Sequence, residues 1–257
     1  MKKLLRNLLI LTVILVNYLA FASIQEEPKK EIWQFDGVFG RFDKRAIQRG
    51  YQVYKEICVA CHALSQISYR NLEEIGFSKD EVVNIAAQYQ VNDGLNDKGE
   101  MLQRPGKPYD KFVLPYPNEA ASRAANNGAY PPDLSLIIKA RGDGANYVHA
   151  LLNGYGHGIP KGMKINNGMY YNPYFPNMQI AMPPPLSDGM VTYQDGTVAT
   201  VEQMSSDLVN FLQWTAEPEM EKRKAMGGKV IVFLFILITV FYMAKTRIWA
   251  NVEKKNR

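Results

Sequence analysis

Cys58-Val59-Ala60-Cys61-His62 decides how this chain is read. Two thiols three positions apart, followed at once by an imidazole, can bond to both vinyl groups of a haem while the histidine takes the iron from one side, the signature of c-type haem attachment. The same residues have rival uses: a Cys-x-x-Cys pair also serves as a redox dithiol, as half of a zinc site or as a disulfide. The chain has two cysteines, so a four-cysteine zinc site is excluded, and a mixed site would have to draw on His149 and His157. A thioredoxin-like motif calls for a preceding strand in a βαβ unit. Here the preceding residues repeat with helical spacing: Ile47, Tyr51, Tyr54 and Ile57 or Cys58 form one amphipathic stripe, opened by Asp43 as N-cap. Gly50 inside that helix costs about 1 kcal/mol relative to alanine, which a close approach by another element would explain.

Outward from the motif, both ends of the 257-residue chain depart from a simple soluble domain. Lys2, Lys3 and Arg6 precede an apolar run from Leu8 to about Ala20, and Ala20-Phe21-Ala22 supplies a small-x-small cleavage pattern. Residues 1–22 are expected to be a cleaved secretory signal, with an uncleaved anchor as the competing reading. At the other end, the uncharged run 230–244 extends through 226–229 and Lys245 to a predicted transmembrane helix over 226–245. A juxtamembrane segment, 219–225, precedes it and a basic cytoplasmic tail, 246–257, follows; a buried core helix is the alternative. The basic residues beyond the span agree with an outside head and an inside tail.

The net charge of +5 arises at these ends; residues 23–218 hold 18 basic and 22 acidic residues, a balance of −4. Nothing there points to nucleic acid. An acidic head suits a basic protein partner steered by its field, and is equally an ordinary solvated surface. The cluster Glu73, Glu74, Asp80 and Glu81 reads in the same two ways.

The head is expected to be mainly α. Residues 23–43 read as irregular, 70–92 as further helix with a start at Ser78, and 93–118 as a long Gly/Pro-rich loop. Pro131-Pro132 marks a turn, with Asp133 or Ser135 capping a helix through Ile137 and Ile138. Residues 145–155 form a short helix carrying His149, and His157 sits among glycines as a loop residue, with an iron ligand as the other reading. Asp195-Gly196 suggests a hairpin between 190–193 and 198–200. Thr200 and Gln203 form a capping box for a helix bearing Leu208, Phe211, Leu212 and Thr215, after which Pro218 kinks or restarts the chain.

A c-type haem in an electron carrier usually has a second axial group, and methionine sulfur raises the potential. Of eleven methionines, Met182 stands out because Pro183-Pro184-Pro185 follows it, a stiff segment able to hold a loop-borne sulfur. A core methionine in a Pro-rich loop is the other reading. Arg123 is a candidate partner for a haem propionate through its planar fork, or a surface arginine.

The order of these parts resembles the cytochrome c1 family, haem subunits of cytochrome bc1 complexes. The likeness is most specific in Gln48-Arg49-Gly50-Tyr51-Gln52-Val53-Tyr54-Lys55-Glu56, Arg104-Pro105-Gly106-Lys107, Arg123-Ala124-Ala125-Asn126-Asn127-Gly128 and Tyr171-Asn172-Pro173-Tyr174-Phe175-Pro176. It implies a class I cytochrome c-like haem domain over 23–218 with long loop insertions, plus one C-terminal transmembrane helix. It implies one covalent haem c on Cys58, Cys61 and His62, with Met182 as sixth ligand and Arg123 near a propionate. With both axial positions filled, no site is open for oxygen or substrate, so the chain is expected to relay electrons without substrate chemistry of its own. The implied donor is a Rieske iron–sulfur protein, the acceptor cytochrome c and the companion cytochrome b, with the head in the periplasm and the anchor in the inner membrane. The extra disulfide of some bacterial members has no cysteines here. The rivals are an anchored c-type subunit of a terminal oxidase or periplasmic dehydrogenase, a haem peroxidase with an open distal side, and a tethered thiol oxidoreductase without haem.

Overall fold

Helix α1 (Lys44–Glu56) starts where Asp43 accepts hydrogen bonds from the backbone N–H groups of Arg45 (2.9 Å) and Ala46 (3.3 Å), satisfying donors that have no partner within the helix. The computed structural model in which this is seen describes residues 25–255, with side chains as far as residue 250; the expected signal at 1–22 lies outside the described residues. The face of α1 bearing Ile47, Gly50, Tyr51, Val53 and Tyr54 is buried, and its chief partner is the penultimate helix, α6 (Val201–Ala216). Gly50 makes that contact possible, because a Cβ there would overlap the Asp207 carbonyl. Beside it, Arg49 forks onto Asp207 (2.8 and 2.9 Å) and reaches Asp195 (2.9 Å).

Between these two helices lie α2 (Lys79–Ala87), α3 (Glu119–Ala125), α4 (Ile137–Ala140) and α5 (Gly144–Asn153), with a 3-10 segment at Tyr69–Ile75. Ser78 and Glu81 close a reciprocal capping box on α2. The core is aromatic: Tyr54, Tyr69, Phe211 and Trp214 are fully buried, and Tyr69 stacks on Phe112 with ring centroids 4.5 Å apart. The fold is mainly α, as expected.

Three local expectations are corrected. The hairpin is not at Asp195-Gly196 but where the expected helix 70–92 gives way to the expected loop, with β1 (Gln90–Leu95) pairing antiparallel with β2 (Met101–Pro105). Its turn is closed by Asn96, whose side-chain oxygen accepts from the N–H groups of Lys98 and Glu100, each at 2.9 Å. At 195–196 the chain makes a turn without flanking strands: Val191 and Tyr193 are drawn into the core, and Asp195 is held by Arg49 and by the Thr197 N–H (3.0 Å). Asp133 and Ser135 do not cap α4, whose N-cap, Leu136, makes no side-chain bond; both are committed elsewhere. The Thr200 box is half formed: Thr200 accepts from the Gln203 N–H (3.1 Å), but the Gln203 amide donates to Asp207 (3.0 Å).

A second small antiparallel pair, β3 (Tyr170–Tyr171) with β4 (Gln179–Ile180), precedes the Met182 loop. Past Pro218 the chain restarts as α7 (Met220–Lys255). Met220 is part of the core, whereas the apolar side chains from Val230 onward face outward. This helix is long and apolar enough to cross a membrane.

Candidate functional site

The attachment turn grows from the end of α1. Cys58–Ala60 is a 3-10 turn, and the Cys58 carbonyl accepts both the Cys61 N–H (3.1 Å) and the His62 N–H (2.9 Å). Two bonds on one acceptor draw both cysteines and the histidine into a single turn. Both thiols are free and half-buried. Burial, aided by Cys61, pushes the Cys58 thiol up to about 12, so it is a neutral thiol. The Cys61 sulfur lies 3.9 Å from the Tyr116 hydroxyl.

His62 is held by Pro132, whose carbonyl lies 2.8 Å from Nδ1. A carbonyl can only accept, so Nδ1 carries the proton and Nε2 keeps its lone pair, the tautomer an axial ligand requires. Burial lowers the imidazole pKa, partly opposed by the Pro132 bond and the nearby Asp133 carboxylate, and this favours the neutral form. The Tyr54 hydroxyl donates to the His62 carbonyl (3.0 Å), tying the turn back to α1.

Segment 132–135 is stitched to segment 62–66 along its length. Leu134 N–H donates to the Ala63 carbonyl (2.9 Å), Asp133 accepts from the N–H groups of Ser65 (3.0 Å) and Ser135 (2.7 Å), and the Ser135 hydroxyl accepts from the Gln66 N–H (3.1 Å). Burial raises the Asp133 carboxyl, but the bonds from Ser135 and Ser65 outweigh it and hold the group below its ordinary value. Local sequence signals missed this clamp. The D-x-S spacing announces the bond from Ser135 to Asp133, but nothing local announces the reach to Ser65.

Met182 is half-buried in the loop after β4, where its carbonyl accepts from the Tyr155 hydroxyl at 3.1 Å. Arg123, on α3, pairs with Glu119, donates to the Gly128 carbonyl (3.0 Å) and lies over the Tyr130 ring at 5.4 Å. Among the described residues, no hydrogen bond, ion pair or ring contact joins Met182 or Arg123 directly to Cys58, Cys61 or His62. His149 is buried edge-on to Trp33 (5.5 Å) with Glu202 3.4 Å from its Nε2, and His157 is exposed beside Tyr174.

This donor set fits a covalent haem: two free thiols on one turn and an imidazole with its second nitrogen uncommitted. A mixed zinc site lacks support, since no group of three or more His, Cys, Asp or Glu converges among the described residues. A thioredoxin-like setting is absent too, because the element leading to Cys58 is a helix.

The comparisons with known proteins agree. The model of the Cytochrome C1 family matches residues 33–252. A cytochrome c1 of Rhodospirillum rubrum is 44% identical over 239 residues, covering 87% of this chain and 88% of that protein. A mitochondrial heme protein of Solanum tuberosum, cytochrome c1-2, is 50% identical over 224 residues, covering 87% and 85%. A cytochrome b/c1 of Bradyrhizobium diazoefficiens is 49% identical over 247 residues, which span 88% of this chain but 36% of that protein. With the match running from Trp33 to beyond the apolar part of α7, the chain belongs to the cytochrome c1 family, mostly helical proteins with a covalently bound c-type haem.

Proposed function

We propose that this chain is the electron-transfer haem subunit of a ubiquinol–cytochrome c reductase complex, taking an electron from a Rieske iron–sulfur protein and passing it to cytochrome c. The observation that carries the reading is the Pro132 carbonyl 2.8 Å from His62 Nδ1, which leaves Nε2 free beside two free cysteines. Cys58 and Cys61 would hold the porphyrin by thioethers, and His62 Nε2 and the Met182 sulfur would bind its iron. When bound, haem c supplies a one-electron ferric/ferrous couple. The chain's own task is to hold still: Tyr54, Pro132 and the Asp133 clamp fix the His62 ring, and no proton need leave Nδ1.

Arg123 is proposed to meet a propionate. Its bond to Glu119 is an exposed pair four residues apart on α3, of a kind worth about 0.3–0.5 kcal/mol, weak enough to be exchanged for a propionate. No substrate chemistry is assigned to the chain itself.

The proposed divisions are a cleaved signal (1–22), a periplasmic haem domain (23–218), a juxtamembrane segment (219–225), a single inner-membrane span (226–245) and a cytoplasmic tail (246–257). Support comes from the outward-facing apolar helix α7 and from Lys245 and Arg247 beyond the uncharged run. Cytochrome b is the proposed membrane companion; the Bradyrhizobium relative's name joins cytochrome b with c1. A haem stain on a denaturing gel, with the mass of the mature chain, tests the attachment. One retained haem is expected; an unmodified mass with titratable thiols at Cys58 and Cys61 overturns it. Purification of the membrane complex should bring down cytochrome b and a Rieske protein.

A further inference from the structure

Val38 and Phe39 sit at the tip of the turn between Trp33 and α1, with exposures of 76% and 93%. Such exposed apolar tips usually belong to mobile loops, but this one is held. Trp33 and Phe35 stack at 5.5 Å, the indole N–H of Trp33 donates to Asn146 (2.7 Å), and Arg41 N–H closes the turn onto the Gln34 carbonyl (2.9 Å). Gly40 packs so closely on the Asp36 carbonyl that a side chain there would overlap it.

The turn is also fastened to α7. The Lys224 ammonium donates to the carbonyls of Phe35 (2.7 Å) and Gly40 (3.1 Å), and Phe42 N–H donates to Glu221 (2.8 Å). Where a bilayer meets α7 follows from length. A hydrocarbon core of about 30 Å takes about 20 helical residues, and the uncharged run ends at Lys245. Counting back from Lys245 puts the outer boundary near residues 225–226, immediately below Lys224. Phe39 lies near that level: the carbonyl of its neighbour Gly40 accepts from Lys224, and with Val38, Gly227, Gly228 and Ile231 it lines one open cavity of about 1090 Å³. Residues 219–229 carry four basic and two acidic side chains, while the cavity itself is lined evenly, by Arg41, Lys139, Arg223 and Lys224 and by Asp36, Asp143, Glu217 and Glu221.

We infer that Val38 and Phe39 form an interfacial anchor that enters the lipid headgroup layer beside α7 and so fixes the angle of the haem domain to the membrane. A free helix would let the domain swivel about its axis, whereas a second attachment point off that axis stops the rotation. The occupant is lipid rather than a protein helix, because the exposed tip adjoins Lys224 at the level where the apolar run of α7 begins. The inference rests on α7 being the membrane span.

Thioether formation removes Cys58 and Cys61 from thiol reagents, so single nitroxides can be placed on the haem-loaded full chain at Phe39→Cys, Ile236→Cys and Val198→Cys. In vesicles of phosphatidylcholine and phosphatidylglycerol, the ratio of oxygen to nickel-chelate collision rates reports depth. Expected is a ratio at 39 several-fold above that at 198 and below that at 236. A ratio at 39 equal to that at 198, with 236 lipid-like, overturns the anchor tip and leaves the span intact. A water-like ratio at 236 instead overturns the span. Loss of both collision rates at 39 in the assembled complex means that protein covers the tip, which also overturns the proposal.

Discussion

At the scale of single residues, the Pro132 carbonyl decides which nitrogen of His62 is available, and Asp133 decides where Pro132 sits. The partner of that nitrogen was legible in Cys58-Val59-Ala60-Cys61-His62, because thioether spacing is a property of five consecutive residues. The clamp was not, because Pro132 and His62 meet only when the chain folds; Asp133 read as a helix cap from its neighbours alone. Met182 is an intermediate case: three prolines after it announce a stiff loop, and only the family resemblance turns a stiff loop into a ligand. If Met182 is the proposed ligand, replacing it by leucine removes a thioether that favours the reduced iron. The expected outcome is a lower reduction potential, or carbon monoxide binding to the reduced protein at neutral pH. Potentiometric titration and visible spectra check it, and an unchanged spectrum and potential rule Met182 out as ligand.

Helix α1 was legible as an element because its buried stripe recurs at three and four residues, and α6 likewise. Their mutual approach showed only as a glycine in the wrong place. The Gly50→Ala variant sets two effects against each other. Alanine gains about 1 kcal/mol of helix propensity, while overpacking costs about 1–3 kcal/mol. Here the obstacle is the Asp207 carbonyl and the Phe211 Cβ, 2.7 Å from the added carbon, and backbone cannot rotate aside, so overpacking wins. A lower guanidinium midpoint with an unchanged slope is expected, and an equal or higher midpoint contradicts the close approach. The misplaced hairpin has the opposite lesson. Asp195-Gly196 carries a good turn signal, but Arg49 and the core claim its flanks, while β1 and β2 pair across residues that read as the end of a helix (90–92) and, after it, as Gly/Pro-rich loop.

Over the whole molecule, the head is held to itself partly by carboxylates whose charge folding stabilises, and acid exposes this. Bonds from Thr197, then the Arg49 guanidinium, bring Asp195 from its ordinary 3.8 to about 2, and Arg104 chiefly holds Asp110 down. A depressed carboxyl contributes stability above its unfolded pKa and loses it as pH falls through the folded one. The melting temperature should therefore hold steady down to about pH 4 and fall between there and about pH 2, less steeply for Asp195→Asn; parallel falls would discount the Asp195 bonds. The head is also expected to part from its anchor, and where it is cut matters. Ending the chain after Pro218 should free a haem domain from membranes, since the apolar run lies wholly beyond it, and a head that still sediments with membranes counts against a single C-terminal anchor. Yet that cut discards Met220, 2% exposed, and the Glu221 and Lys224 bonds to Phe42, Phe35 and Gly40. Burying one such methionine contributes about 1.5–3 kcal/mol, and three lost hydrogen bonds add about 0.5–1.5 kcal/mol each. A chain ending after Ala225 keeps all of them and should stay soluble while melting several degrees higher than the shorter one. Equal melting temperatures would mean that the first turn of α7 belongs to the anchor and not to the haem domain.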